Sequence, residues 1–168
     1  MSGPVSQGIV VIGVGTPYRR DDGVGPLVVE LLRRRLGEVC PVTLVELDGE
    51  PVRLLQAFRD QTYLVDAVRS GAAAGTIHRF EIDHVEAAKQ AWARDVQLGG
   101  GHLMGVPEAI AMGSALDRLP SRLVVLGVEG ATFDAGVGVT PVVAEGCRRL
   151  VDELVVELAP AAPASSLA

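Results

Sequence analysis

The sequence is poor in aromatic residues and contains only two cysteines. Phe, Trp and Tyr make up 4% of the 168 residues, so a hydrophobic core has to be built from Val, Leu, Ile and Ala. Cys40 and Cys147 cannot form the dense disulfide framework of a small secreted domain, which favours a reducing compartment. The apolar spacing of the last segment places Cys147 on the inner face of a helix, as part of the core.

The sequence also lacks an excess of positive charge and any long apolar run. The net charge of −6 argues against nucleic acid as the main partner, because phosphate binding needs basic patches. No stretch is long and apolar enough to span a membrane, and the first residues lack the basic and apolar regions of a signal peptide. We therefore expect a cytoplasmic protein that binds neither nucleic acid nor membrane.

Short apolar runs alternate with helical apolar spacing, which predicts an α/β fold. Strands are expected at 8–14, 42–47 and 62–65, with helices at about 22–36 and 51–59 between them. This βαβαβ order implies a parallel sheet with helices on its faces.

The second half of the chain adds one strand of the opposite direction. The strand at 76–82 follows the third too closely for a parallel crossover, so it is expected to be antiparallel. The remaining predicted elements are helices to about 97 and 116, a buried strand at 122–128, and a helix that begins at Thr140-Pro141 and ends at Leu158. The whole is a three-layer sandwich with a mostly parallel sheet of about five strands. Residues 1–158 form a single domain, and 159–168 form a disordered Ala/Pro/Ser tail.

The first strand ends in Gly13-Val14-Gly15, and a polar loop with two aspartates follows it. A dinucleotide-binding loop would need a third glycine where Tyr18 stands, and the carboxylates of Asp21 and Asp22 would repel a pyrophosphate. Either aspartate could cap the next helix. We predict that Asp21 is the cap and that Asp22 points towards the carboxyl edge of the sheet, where such folds place their chemistry.

Two further polar residues are predicted at the same edge. Asp66 ends the third strand and is either a ligand or a turn cap. His102 follows three glycines and is either a metal ligand or proton carrier, or an ordinary surface histidine. His78 and His84 are expected to have no site function. One histidine and two carboxylates suit a metal site with open positions, and no nucleophile motif is present.

Together, four motifs resemble the hydrogenase maturation endopeptidases in type and order. They are the glycine loop with its paired aspartates at 13–25, Val-Asp-Ala at 65–67, His-Leu-Met-Gly at 102–105, and Gly-Val-Glu at 127–129. The resemblance implies a cytoplasmic α/β protein that removes a C-terminal extension from the large-subunit precursor of a nickel–iron hydrogenase after nickel insertion. Matched position by position, the metal-contacting residues of the family fall on Asp22, Asp66 and His102.

The resemblance further implies a monomeric, aspartic-type endopeptidase with no tightly bound cofactor. Asp22, Asp66 and His102 are its catalytic and metal-contacting candidates, and the nickel is supplied by the precursor. Either aspartate could instead be the general base. Asp22 is one methylene shorter than the glutamate of well-known members. Two alternatives stay open, a small-molecule metallohydrolase with its own bound metal and a non-catalytic chaperone that checks the metal of the large subunit.

Overall fold

A five-stranded mixed sheet forms the centre of the computed structural model, which describes residues 5–38, 40–82 and 105–159. The sheet order is β2-β1-β3-β5-β4. Neighbouring strands are parallel except β4 and β5, which are antiparallel as predicted from their short connection. The strands are β1 (Ser6–Val14), β2 (Val42–Leu47), β3 (Arg59–Val68), β4 (Ile77–Ile82) and β5 (Arg122–Glu129).

Helices cover both faces of the sheet, which confirms the predicted three-layer architecture. They are α1 (Val24–Leu36), α2 (Pro51–Ala57), α3 (Val106–Ala115) and α4 (Pro141–Leu158). One core lies between the sheet and the pair α1 and α4, and it includes Cys147, which is buried as predicted. The second core lies between the opposite face and the pair α2 and α3. Among the described helices, none has the length and apolar character needed to cross a membrane.

Several boundaries differ from the prediction. β3 continues through Asp66 to Val68, because β5 runs beside it and supplies ladder partners up to Glu129. α1 begins at Val24, after a separate 3-10 turn. α3 begins at Val106, later than the helix start predicted at His102.

Some predicted features lie outside the described residues. These are the helix that was predicted to end at about 97, His84, His102, and the tail from residue 160 onwards. The division into one domain and a disordered tail stays a prediction.

Candidate functional site

The candidate site lies at the carboxyl edge of β1 and β3, which are parallel neighbours. Open α/β sheets bind their ligands at this edge. The loop after β1 supplies Asp22, and β3 supplies Asp66. The sheet therefore brings together two of the three residues that the sequence indicated.

Asp22 lies in the 3-10 turn Arg20–Gly23 and is only 6% exposed. Its Oδ2 accepts a hydrogen bond of 3.0 Å from the backbone N–H of Thr16. The loop can fold back this tightly because of Gly15, which has φ +128°. A Cβ at Gly15 would overlap the carbonyl oxygen of Asp22, so only glycine fits between the strand end and the turn.

Asp66 is 1% exposed and is only partly satisfied by hydrogen bonds. Its Oδ1 accepts a bond of 2.7 Å from the N–H of Ala67. Its Oδ2 is buried and has no hydrogen-bond partner among the described residues. Buried polar atoms are normally paired, so an unpaired carboxylate oxygen at a sheet edge suggests a place for a ligand.

Burial raises the pKa of Asp66 well above its ordinary value of 3.8, and the negative charge of Asp22 raises it further. The hydrogen bond from Ala67 acts in the opposite direction. Desolvation penalises the charged carboxylate, and a second carboxylate nearby adds repulsion. The two aspartates are thus electrostatically coupled, and Asp66 holds its proton more firmly than an exposed aspartate.

The position of His102 relative to this pair stays a prediction, because His102 lies outside the described residues. Within residues 5–38, 40–82 and 105–159, no group of three or more His, Cys, Asp and Glu side chains is arranged to hold a metal ion. Gly105, which follows His102 by three positions in the sequence, packs against Gly49 in the turn between β2 and α2.

Asp21 does not cap α1, so that prediction was wrong. The N-cap of α1 is Gly23, with no side-chain cap. Asp21 is instead fully buried against the segment between β5 and α4. Its Oδ2 accepts bonds from the N–H groups of Ala131 and Thr132 at 2.8 and 2.9 Å and from the Thr140 hydroxyl at 3.1 Å. Its Oδ1 accepts the N–H of Thr140 at 2.7 Å.

Glu129, at the end of β5, holds the loop after β3 in a similar way. It is 2% exposed and accepts hydrogen bonds from the N–H and hydroxyl of Ser70, both at 2.8 Å, and from the N–H of Gly71 at 3.0 Å. His78 Nε2 lies 3.1 Å from its Oε2. Neither Glu129 nor His78 was predicted from the sequence to have a role of its own. The sequence signal that could have identified Glu129 is a charged residue at the end of an apolar strand, the same pattern that indicated Asp66.

The comparison with protein families places the chain among hydrogenase maturation proteases. Residues 26–157 match the HycI family, described as "Hydrogenase maturation protease". The matched range contains Asp66 and His102 and begins after Asp22.

Two curated relatives are described as hydrogenase expression/formation proteins. HupD of Thiocapsa roseopersicina is 30% identical over 128 residues, which are 75% of this chain and 56% of HupD. HupM of Azotobacter chroococcum mcd 1 is 28% identical over 131 residues, which are 77% of this chain and 60% of HupM. The chain thus spans less than two thirds of the length of these relatives.

A solved structure has the same fold over nearly its whole length. The hydrogenase maturating endopeptidase HybD from E. coli superposes with a TM-score of 0.68 at 25% identity, covering 90% of this chain and 92% of HybD. The family match covers well over half of the sequence, and the fold agrees with it. The chain therefore belongs to the hydrogenase maturation protease family.

Proposed function

We propose that this protein is an endopeptidase that removes the C-terminal extension of a nickel–iron hydrogenase large-subunit precursor after nickel insertion. Asp22, Asp66 and His102 contact the nickel that the precursor carries, and in this way they recognise a finished metal site. Membership of the hydrogenase maturation protease family supports the reaction class. The proposal includes a cytoplasmic location and a monomeric enzyme.

The observation that carries the proposal is the buried, unpaired Oδ2 of Asp66 beside Asp22. Burial of two coupled carboxylates costs stability unless a positive charge or a proton compensates them. A cation presented by a substrate supplies that charge, and carboxylate oxygens can ligate it. The pair alone leaves most coordination positions of a metal open, so the remaining ligands have to come from His102 and from the precursor.

The raised pKa of Asp66 has a chemical consequence for this encounter. A metal ligand has to be deprotonated, so contact between Asp66 and nickel releases a proton. The raised pKa also makes the Asp66 carboxylate a stronger base than an ordinary aspartate, which suits it to a second role as the general base. Both roles use the same atom, Oδ2, at the same edge of the sheet.

The test compares nickel-loaded with metal-free precursor, with mass spectrometry measuring the loss of the extension. We expect cleavage of the loaded form only. Asp22→Asn, Asp66→Asn and His102→Ala should each abolish it, whereas Glu153→Gln, at an exposed position of α4, should cleave like the wild type. Equal cleavage of both forms would refute recognition of substrate nickel.

The alternative functions give different results in the same assay. A small-molecule metallohydrolase would retain near-stoichiometric metal through purification and chelation and would leave the precursor intact. A metal-checking chaperone would bind the loaded precursor without cutting it. Either result would overturn the proposed endopeptidase function.

A further inference from the structure

Several hydrogen bonds join the loop that carries Asp22 to the segment 131–140. The backbone N–H of Asp21 donates to the Thr132 carbonyl at 3.1 Å. The N–H of Arg20 donates to the carbonyl of Gly136 at 3.0 Å, and the N–H of Gly136 donates to the Tyr18 carbonyl at 3.0 Å. The four bonds that the Asp21 carboxylate accepts come from the two ends of this same segment.

The turn itself has an unfavourable backbone conformation. Arg20 has φ +49°, in the left-handed region, which costs a non-glycine residue about 1–2 kcal/mol. Such a conformation persists when its surroundings hold it. Here the Arg20 guanidinium donates to the carbonyl of Val137 at 3.1 Å, and Asp21 is fully buried beneath it. The turn therefore depends on the segment 131–140 for its shape.

Asp22 has few contacts of its own that could fix its direction. Among the described residues its side chain accepts one hydrogen bond, from the N–H of Thr16, and its own N–H donates to the Arg19 carbonyl at 3.1 Å within the same loop. The position of the Asp22 carboxylate, close enough to Asp66 for its charge to act on that residue, thus follows from where the turn is held.

We propose that Asp21 is a positioning residue for Asp22. Its carboxylate binds Ala131, Thr132 and Thr140, holds the turn against this distant segment, and so keeps Asp22 near Asp66. This inference rests on the proposed function, because the measurement of kcat requires the protein to cleave the precursor. It assigns to the side chain of Asp21 a task that a helix cap would not perform. The Asp21 carbonyl accepts the N–H of Val24, the first residue of α1, but the helix has no side-chain cap.

Asp21→Asn tests the inference, because the amide keeps the shape but turns a hydrogen-bond donor towards N–H groups. We expect kcat for nickel-loaded precursor to fall at least about 10-fold, with KM changed less than about twofold, since small misplacements of a reacting group cost rate. The affinity of the free enzyme for Cd²⁺, the probe for the Asp22–Asp66 pair, should fall about 10-fold in titration calorimetry. Thr140→Val removes only the hydroxyl bond and should give a smaller loss in both measurements, whereas Thr140→Ser should retain wild-type values.

A matched control separates positioning from general stability. Tyr63→Phe removes buried hydrogen bonds with Glu157 and Arg122, near the amino end of β5, and it should lower the melting temperature without changing kcat or Cd²⁺ affinity. If Asp21→Asn and Thr140→Val behave like Tyr63→Phe, the inference is overturned. If Asp21→Asn does not fold, the pair Thr140→Val and Thr140→Ser decides. If the wild type does not cleave precursor, the proposed function fails, and the Cd²⁺ titrations still decide the role of Asp21.

Discussion

The carbonyl oxygen of Asp22 lies directly against Gly15, at the end of β1. Gly15 has φ +128°, and any side chain there would overlap that oxygen. Gly13 and Gly25 make a second close approach, between β1 and the start of α1. The glycines of this motif thus bring the turn close to the strand end. In a dinucleotide-binding loop, glycines at the corresponding place instead allow the backbone to approach a phosphate. The position of Asp22 depends on this packing.

Replacement of Gly15 should therefore damage both the site and the fold. We expect Gly15→Ala to abolish cleavage of the precursor and to lower the free energy of unfolding by about 3 kcal/mol or more, because backbone strain and a steric overlap add together. Gly8→Ala is the control, since Gly8 in β1 has φ +117° but open space around its Cα. It should show strain alone, about 1–2 kcal/mol, with cleavage retained. Equal effects of the two substitutions in denaturant titration and cleavage would contradict the role of Gly15.

The raised pKa of Asp66 predicts how the stability of the folded protein changes with pH. Because its pKa is raised in the folded protein, the folded state binds the proton more tightly than the unfolded chain. Stability from this group is complete below the ordinary pKa of 3.8 and falls as the pH rises through the raised value. Asp66→Asn removes this titration. The variant should therefore gain melting temperature relative to the wild type as the pH increases from 4 to about 8, while losing cleavage.

The measurement is a series of thermal melts of both proteins across that pH range. Glu153→Gln, at an exposed position of α4, controls for the removal of one negative charge. A difference between Asp66→Asn and wild type that stays constant with pH would show that Asp66 ionises as readily in the folded protein as in the unfolded chain.

Glu129 is expected to hold the loop after β3 and to take no part in the chemistry. Glu129→Gln replaces the carboxylate with a neutral amide, so the bonds from the N–H groups of Ser70 and Gly71, which share Oε1, are no longer charge-assisted. We expect a loss of about 1–3 kcal/mol in the free energy of unfolding, since hydrogen bonds to a charged acceptor are stronger than those to a neutral one. Hydrogen exchange of the Ser70 and Gly71 amides, followed by NMR, should become faster.

Glu145→Gln is the matched control, because it removes an exposed carboxylate paired with Arg148. Exposed ion pairs contribute little, so its stability should stay within about 0.5 kcal/mol of the wild type. Unchanged amide exchange at Ser70 in Glu129→Gln would argue against Glu129 as the anchor of this loop.

Local pattern was sufficient for the architecture and for the placement of Asp22 and Asp66 at one edge of the sheet. The apolar periods of strands and helices recur within a few residues, so the order of these elements could be predicted from the sequence. The short link before β4 required that strand to be antiparallel. Asp22 and Asp66 could be placed at one edge because parallel strands end on the same side. The boundaries were less predictable, as in β3, which extends to Val68 because β5 pairs with it.

The sequence by itself determined the three-layer α/β fold and the edge at which its carboxylates meet. Only the tertiary structure decided which groups each carboxylate contacts there. Asp21 looked like a helix cap because its nearest neighbours in sequence suited that role, yet its hydrogen-bond partners lie 110 to 119 residues away. Burial likewise sets the protonation of Asp66, and burial is produced by segments that meet only after folding. Hydrogen bonds and desolvation depend on distance in space, whereas a sequence pattern records distance along the chain.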